Sequence, residues 1–266
     1  MDHNQVRRYW DGNADVWTQL SRAGYDVYRD YLNTPAFLEM LPDVDGLSGL
    51  DIGCGEGHNT RLVAQRGAHM TAIDISARFV RHARDYAGRD APPIRYQVAS
   101  AVELPFPGSL FDFATGFMSF MDIPETGQVL AEVHRVLKPG GFVQFSIIHP
   151  CFNPPHRRNL RDEHGVTYAI EVGDYYRNLD GDIVEGFFGA APPEVTEGLR
   201  KFQLPRFTRI LSQWLNLLIE SGLVLERVEE PRPSDETVRA CPEVQDAQVV
   251  SYFLHIRARK PVWFHS

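Results

Sequence analysis

Apolar positions along the chain recur with two alternating periods. Short apolar runs bounded by turn residues, "GLSGLDIG", "HMTAIDIS", "IRYQVAS", "FDFATGFMSF" and "FVQFSIIHP", read as five strands. Three segments between them carry helical spacing. "NTRLVAQRG" stops at Gly67. "ARFVRHARDYAG" follows the capping residue Ser76 and sets Phe79, Val80 and Ala83 on one face. "ETGQVLAEVHRVLKPGG" places Leu130, Val133 and Leu137 at helical intervals. Such alternation predicts an α/β, doubly wound fold with a mostly parallel sheet covered on both faces.

The pattern breaks between Cys151 and Arg206. "CFNPPHRRNL" and "VGDYYRNLDGDIVEGFFGAAPP" are rich in Pro, Gly and aromatics without a clean period, which predicts an insertion of loops and a small hairpin. Helical spacing returns in "FTRILSQWLNLLIESG", where Ile210, Leu211, Trp214, Leu217 and Leu218 form a stripe and Gly222 is the stop. "LVLERVEEP" and "VVSYFLHIRARK" then read as an antiparallel C-terminal edge joined by a polar loop from Pro231 to Gln248. Four segments result: an N-terminal helical lid, 1–34; an α/β core, 35–150; the insertion as a substrate cover, 151–206; and a helix with edge strands completing the core, 207–266.

Composition narrows the class. A chain of 266 residues with 43% hydrophobic content can bury a large core, and a formal net charge of -8 argues against a nucleic-acid partner. Cys54, Cys151 and Cys241 show no metal-ligand or disulfide spacing, so no metal site is expected and a reducing cytoplasm fits. No apolar run reaches the length of a membrane span, so no membrane partner is expected. The sequence leaves the oligomeric state open.

The chemistry concentrates in "LDIGCGEGHN". Gly53, Gly55 and Gly57 follow a strand and precede a helix, where a backbone can approach a ligand closely. A dinucleotide motif would need a third glycine where His58 stands. Asp51 would repel a pyrophosphate; two unit charges 4 Å apart interact by roughly 4 kcal/mol at an effective dielectric near 20. Asp74, ending the second strand, is placed to accept hydrogen bonds from ribose hydroxyls. A nucleoside with a cationic extension and no phosphate fits these groups, as S-adenosylmethionine does.

With "AIDIS", "LPFPGSLFDFATG" and "VHRVLKPGGFVQFS" in order behind that motif, the sequence resembles the class I S-adenosylmethionine-dependent methyltransferases of the small-molecule branch. The resemblance covers Leu50 to Ile148 densely and the C-terminal elements loosely. It implies a Rossmann-like seven-stranded sheet and S-adenosyl-L-methionine as cofactor, bordered by Cys54, Ile75, Ser100, Ala101 and Phe117 as well as the motif residues. Ser100 stands where relatives commonly carry an acid for the adenine amino group. Relatives also fold an N-terminal segment over the cofactor, which brings in Tyr9, Trp10 and Trp17; Arg29 is a candidate partner for the methionine carboxylate.

For the acceptor, a small molecule, the candidates are Met118, His149, Phe152, Tyr175 and Tyr176. His149 follows the fifth strand, carries a side chain whose unperturbed pKa suits proton transfer, and is expected to act as general base or as a substrate-orienting group. The reaction expected is methyl transfer to an O, N or C atom. Two alternatives keep the same cofactor: an enzyme of another class, cyclase-like or isomerase-like, and a non-catalytic binding module.

Overall fold

The computed structural model describes residues 1–86 and 92–262. The chain opens with α1 (His3–Arg22), whose start is closed by a capping box between Asp2 and Gln5. A π-helical turn over Arg29–Asn33 leads into α2 (Thr34–Met40). The core then alternates β1 (Ser48–Ile52), α3 (His58–Ala64), β2 (His69–Asp74), α4 (Ala77–Asp85), β3 (Arg95–Val98), β4 (Phe111–Phe117), α5 (Thr126–Val136) and β5 (Leu137–Ile148). Beyond it lie β6 (His156–Arg161), β7 (Thr167–Gly173), β8 (Asp180–Gly186), the short α6 (Pro193–Thr196), β9 (Phe202–Phe207), α7 (Leu211–Glu220), β10 (Val224–Glu229), α8 (Asp235–Ala240) and β11 (Phe253–Arg259).

Seven strands form one sheet in the order β10-β11-β5-β4-β1-β2-β3. All pairs are parallel except those of β11, which runs against both β5 and β10. The C-terminal pair expected from the sequence is therefore present, with the last strand inserted between the core and the edge. Two apolar layers flank the sheet. Leu130, Val133, Phe145, Trp214 and Leu218 pack α5 and α7 on one face, and Phe37, Val63, Met70 and Phe113 pack α2 and α3 on the other. Strand order reverses between β1 and β4, so the carboxyl ends of these neighbours open a crevice, the usual ligand position in open α/β sheets.

Local signals hold where a single residue controls the turn. Ser76 accepts from the Phe79 N–H at 3.2 Å and starts α4, whose Phe79, Val80 and Ala83 are buried; the last two residues of the predicted helix, Ala87 and Gly88, lie outside the described residues. Gly67 adopts φ 87° just past α3. The insertion, by contrast, holds two hairpins, β6 with β7 and β8 with β9. Its strands expose residues on both faces, so no alternation of apolar and polar residues marks them. The loop predicted over Pro231–Gln248 contains α8 and a 3-10 turn over Pro242–Gln248, started by Ser234, whose hydroxyl accepts from the Thr237 N–H.

The N-terminal segment, insertion and C-terminal segment are joined at one buried carboxylate. Asp246 accepts from the Tyr28 hydroxyl, from Asn159 Nδ2 at 2.9 Å and from Arg157 Nη2 at 3.1 Å, while Tyr28 stacks on Tyr252 with centroids 4.6 Å apart. Removing one member of a buried ion pair leaves the other charge uncompensated. Asp246→Ala is expected to lower unfolding stability by about 3–5 kcal/mol in urea titration; a loss under about 1 kcal/mol would show that the junction carries little.

Candidate functional site

The turn between β1 and α3 is tied to the end of β2. The N–H groups of Gly53 and Cys54 both donate to the Ile73 carbonyl, at 2.9 and 3.0 Å, and the Gly55 N–H donates to Asp74 Oδ2 at 2.9 Å. Gly53 has φ 72°, and a Cβ there would lie 2.4 Å from Ser119 Cβ, so only glycine fits. Gly55, with φ 54°, has no atom within 4 Å of where its Cβ would project. That space, beside a backbone turn, is what a bound ligand needs.

Two carboxylates flank this turn. Asp51 is buried and accepts from Thr115 Oγ1 at 2.8 Å and from the Thr60 hydroxyl. Burial pushes its carboxyl up to about 6, against the pull of those two hydroxyls. Asp74 accepts from the N–H groups of Ser76 (2.8 Å) and Gly55, and burial likewise pushes it up to about 6. Glu56 differs: burial raises it, but Arg61, Arg22 and Arg29 outweigh that and hold it below its ordinary value. All three line the cavity above the crevice, but Glu56 is spent on an ion network with arginines, whereas Asp51 and Asp74 have no ion-pair partner among the described residues.

Above the crevice lies a cavity of about 570 Å³, within the about 300–1,000 Å³ usual for small-molecule sites. Its floor is the carboxyl ends of β1, β2 and β4. Its roof combines α1 with the insertion: Trp17 packs on Phe188 and Phe202 with centroids 4.7 and 4.8 Å apart, Trp10 approaches Phe79 at 6.3 Å, and the Asn13 side chain pairs with the Gln203 backbone through two 2.9 Å hydrogen bonds.

Of the residues expected at the site, Trp17, Arg29, Asp51, Gly53, Cys54, Gly55, Asp74, Ile75, Ser100, Ala101, Phe117, Met118 and Tyr175 line this one cavity. The Ser100 hydroxyl accepts from the Val102 N–H at 3.2 Å. Arg29 donates to Asp30 Oδ1 at 2.7 Å and to the Ser21 carbonyl, which orients it from the π-helical turn. Met118 adopts φ 55°, a strained conformation for a side chain with Cβ, at the mouth of the switch point.

Five residues expected at the site do not line this cavity. His149 is 2% exposed and does not line the cavity: its Nδ1 accepts from the Cys151 N–H at 3.1 Å, and its Nε2 lies 2.7 Å from Glu230 Oε1. With both ring nitrogens engaged, it joins β5 to the segment after β10 and has no lone pair for an acceptor. Phe152 packs on the His149 ring at 4.5 Å instead of on the cavity. Tyr176 is 84% exposed. Tyr9 is turned away from the cavity by helix rotation, and Trp10 takes that wall. Gly57, φ 83°, serves the start of α3 without touching the cavity; a Cβ there would strike the Tyr96 hydroxyl at 2.5 Å.

Sequence reasoning missed the far end of the cavity, where Met121, Asp122, Arg206, Phe207, Arg209 and Trp214 converge from β4's continuation, β9 and the start of α7. Burial pushes the Asp122 carboxyl up to about 7, with Arg206 pulling the other way. No local motif marks these residues, because each is brought in by a different long-range contact. Among the described residues, no group of three or more His, Cys, Asp and Glu is placed to hold a metal, and no helix is long and apolar enough to cross a membrane.

Comparison with known proteins agrees with this geometry. Residues 50–145 match a methyltransferase domain family. The crystal structure of an S-adenosylmethionine-dependent methyltransferase from Mesorhizobium loti is 30% identical, with a TM-score of 0.67 over 85% of this chain and 96% of that one. A malonyl-[acyl-carrier protein] O-methyltransferase from Salmonella typhimurium is 33% identical over 77% of this chain and 75% of its own length. A 27-O-demethylrifamycin SV methyltransferase from Amycolatopsis mediterranei is 26% identical over 80% and 83%. The chain spans about half the length of some other curated relatives that it matches, 48% and 53% in two cases. A glycine turn tied to an acidic strand end, a seven-stranded sheet with one reversed strand, and these likenesses together place the chain in the S-adenosylmethionine-dependent methyltransferase family.

Proposed function

We propose that the cavity seats S-adenosylmethionine with its ribose on Asp74 and its methionine portion against the β1–α3 turn and Arg29, and that a small-molecule acceptor enters the far end between Met121 and Trp214. The observation that carries this reading is the continuity of the space: one cavity joins the open face of Gly55 and the two buried carboxylates to an aromatic chamber. The cofactor supplies an electrophilic methyl group on a sulfonium.

This chain's contribution is to bind and orient two molecules and to keep water out. Asp74, already held by two N–H groups, offers remaining lone pairs to the ribose diol. The roof of Trp10, Trp17 and Phe188 excludes solvent, and two of its aromatic pairs contribute about 0.5–1.5 kcal/mol each beyond burial. With His149 engaged elsewhere, positioning carries the reaction. Cytoplasmic residence belongs to the same proposal, supported by three free cysteines; the acidic net charge of -8 supports a partner other than nucleic acid.

Calorimetric titration with S-adenosylhomocysteine tests the cofactor seat. The wild type is expected to bind it, and Asp74→Ala to weaken binding by about 10- to 100-fold, the equivalent of about 1.5–3 kcal/mol for hydrogen bonds to a charged group. Binding of NADH with no binding of S-adenosylhomocysteine would refute the seat.

The same titration has a pH signature. Because the ribose hydroxyls donate to the ionised form, binding favours loss of the Asp74 proton, so affinity should rise with pH through about 6 and level off above it. Asp51 titrates in the same range and faces the same cavity, so Asp74→Asn is expected to diminish the dependence without removing it. Affinity constant between pH 5 and 7.5 in the wild type would contradict the assignment.

A further inference from the structure

The far end of the cavity contains charges that the cofactor does not use. Arg206 on β9 lines the cavity, and among the described residues its side chain has no hydrogen-bond or ion-pair partner; it draws on Asp122 without touching it. Arg209, two residues past β9, lines the same chamber. Its Nη2 donates to the carbonyls of Ile123 (3.2 Å) and Pro124 (2.6 Å), and its guanidinium lies 5.5 Å from the Trp214 ring centre. Its Nη1 is buried and has no partner among the described residues. Burial without a carboxylate in contact holds this guanidinium below its ordinary pKa, despite more distant help from Asp180 and Glu125.

A buried guanidinium with an idle N–H is costly unless something pairs with it. Arg209 meets that description, and Arg206, partly exposed and without a side-chain partner, lines the same chamber; backed by Phe207, Met121 and Trp214, the two guanidiniums describe the complement of a molecule with an apolar body and one anionic group. A guanidinium matches a planar carboxylate especially well, with parallel N–H donors. We infer that the methyl acceptor is an organic monocarboxylate and that Arg206 and Arg209 bind its carboxylate. This rests on the reading that S-adenosylmethionine occupies the other end of the cavity.

Asp122 sets the charge that can be accepted. While ionised, this carboxyl opposes a second negative charge, so a dianion such as a phosphate monoester is disfavoured and a monoanion leaves the chamber near balance against two arginines. Burial raises its carboxyl to about 7, so a neighbouring anion can hold Asp122 in its neutral form. In that form it donates a hydrogen bond to a carboxylate instead of opposing it.

The test uses protein saturated with S-adenosylhomocysteine and titrates three probes: 4-phenylbutyrate, its uncharged amide 4-phenylbutanamide, and inorganic phosphate. Phenylbutyrate is expected to bind at least tenfold more tightly than the amide, and phosphate not to displace it. Arg206→Gln, which removes no side-chain hydrogen bond or ion pair within the described residues, should weaken phenylbutyrate at least tenfold, leaving the amide, S-adenosylhomocysteine affinity and thermal midpoint unchanged. Asp122→Asn should bind phenylbutyrate as well as the wild type or better. Equal affinity for acid and amide, no binding of either, displacement by phosphate at similar concentration, or an Arg206→Gln protein indistinguishable from wild type would each overturn the inference. Failure of the wild type to load S-adenosylhomocysteine would instead overturn the cofactor reading beneath it, so the two failures are separable.

Discussion

The site depends on the tie between the β1–α3 turn and the end of β2. Three N–H groups in succession, of Gly53, Cys54 and Gly55, are turned toward β2 and satisfied by the Ile73 carbonyl and the Asp74 carboxylate. Unpaired, these donors would be a liability beneath a closed roof; paired, they fix a left-handed turn that only glycine accommodates at Gly53. The same tie keeps Asp74 extended beside the open face of Gly55. One set of hydrogen bonds thus determines the turn's shape, the burial of a carboxylate and the space left for a ligand.

Such a floor has value only if water is kept off it, and the roof is built from segments that have little core of their own. The β6–β7 and β8–β9 hairpins expose much of both faces, and α1 reaches over the crevice from the opposite end of the chain. Their attachment is accordingly specific: Asn13 to the Gln203 backbone, Trp17 between Phe188 and Phe202, and Asp246 collecting Tyr28, Asn159 and Arg157. Elements held by a few polar junctions and aromatic pairs open at lower free energy than the sheet beneath, which suits a chamber that must admit two molecules.

The division between what was legible in the sequence and what was not follows contact range. Ser76 as a cap, Gly67 as a stop, Asp74 at a strand end and the Gly53-to-Gly57 turn are specified within a few residues, and the structure places them as expected. His149 misled because its position along the chain, just past a buried strand, says nothing about what meets its ring; Glu230, 81 residues away, decides that. Tyr9 and Trp10 are adjacent, and only the rotation of α1 against β9 selects the second. Asp122, Arg206 and Arg209 had no signal at all, since a lone acid and two ordinary arginines look like surface residues until the fold brings them to one chamber.

Electrostatics finally separates the two ends of the cavity. The end proposed for the cofactor holds Asp51 and Asp74, both raised toward neutrality by burial. A sulfonium and an ammonium favour the ionised forms and strengthen the hydrogen bonds that those carboxylates accept. The far end has the opposite sign, with Arg206 and Arg209 partly opposed by Asp122. In the proposed arrangement a methyl cation equivalent passes from the sulfonium at the acidic end to the acceptor at the other, and the sulfur left behind becomes neutral. In that arrangement the protein's task is to hold the two chambers in line, which the rigid carboxyl ends of β1 and β4 do.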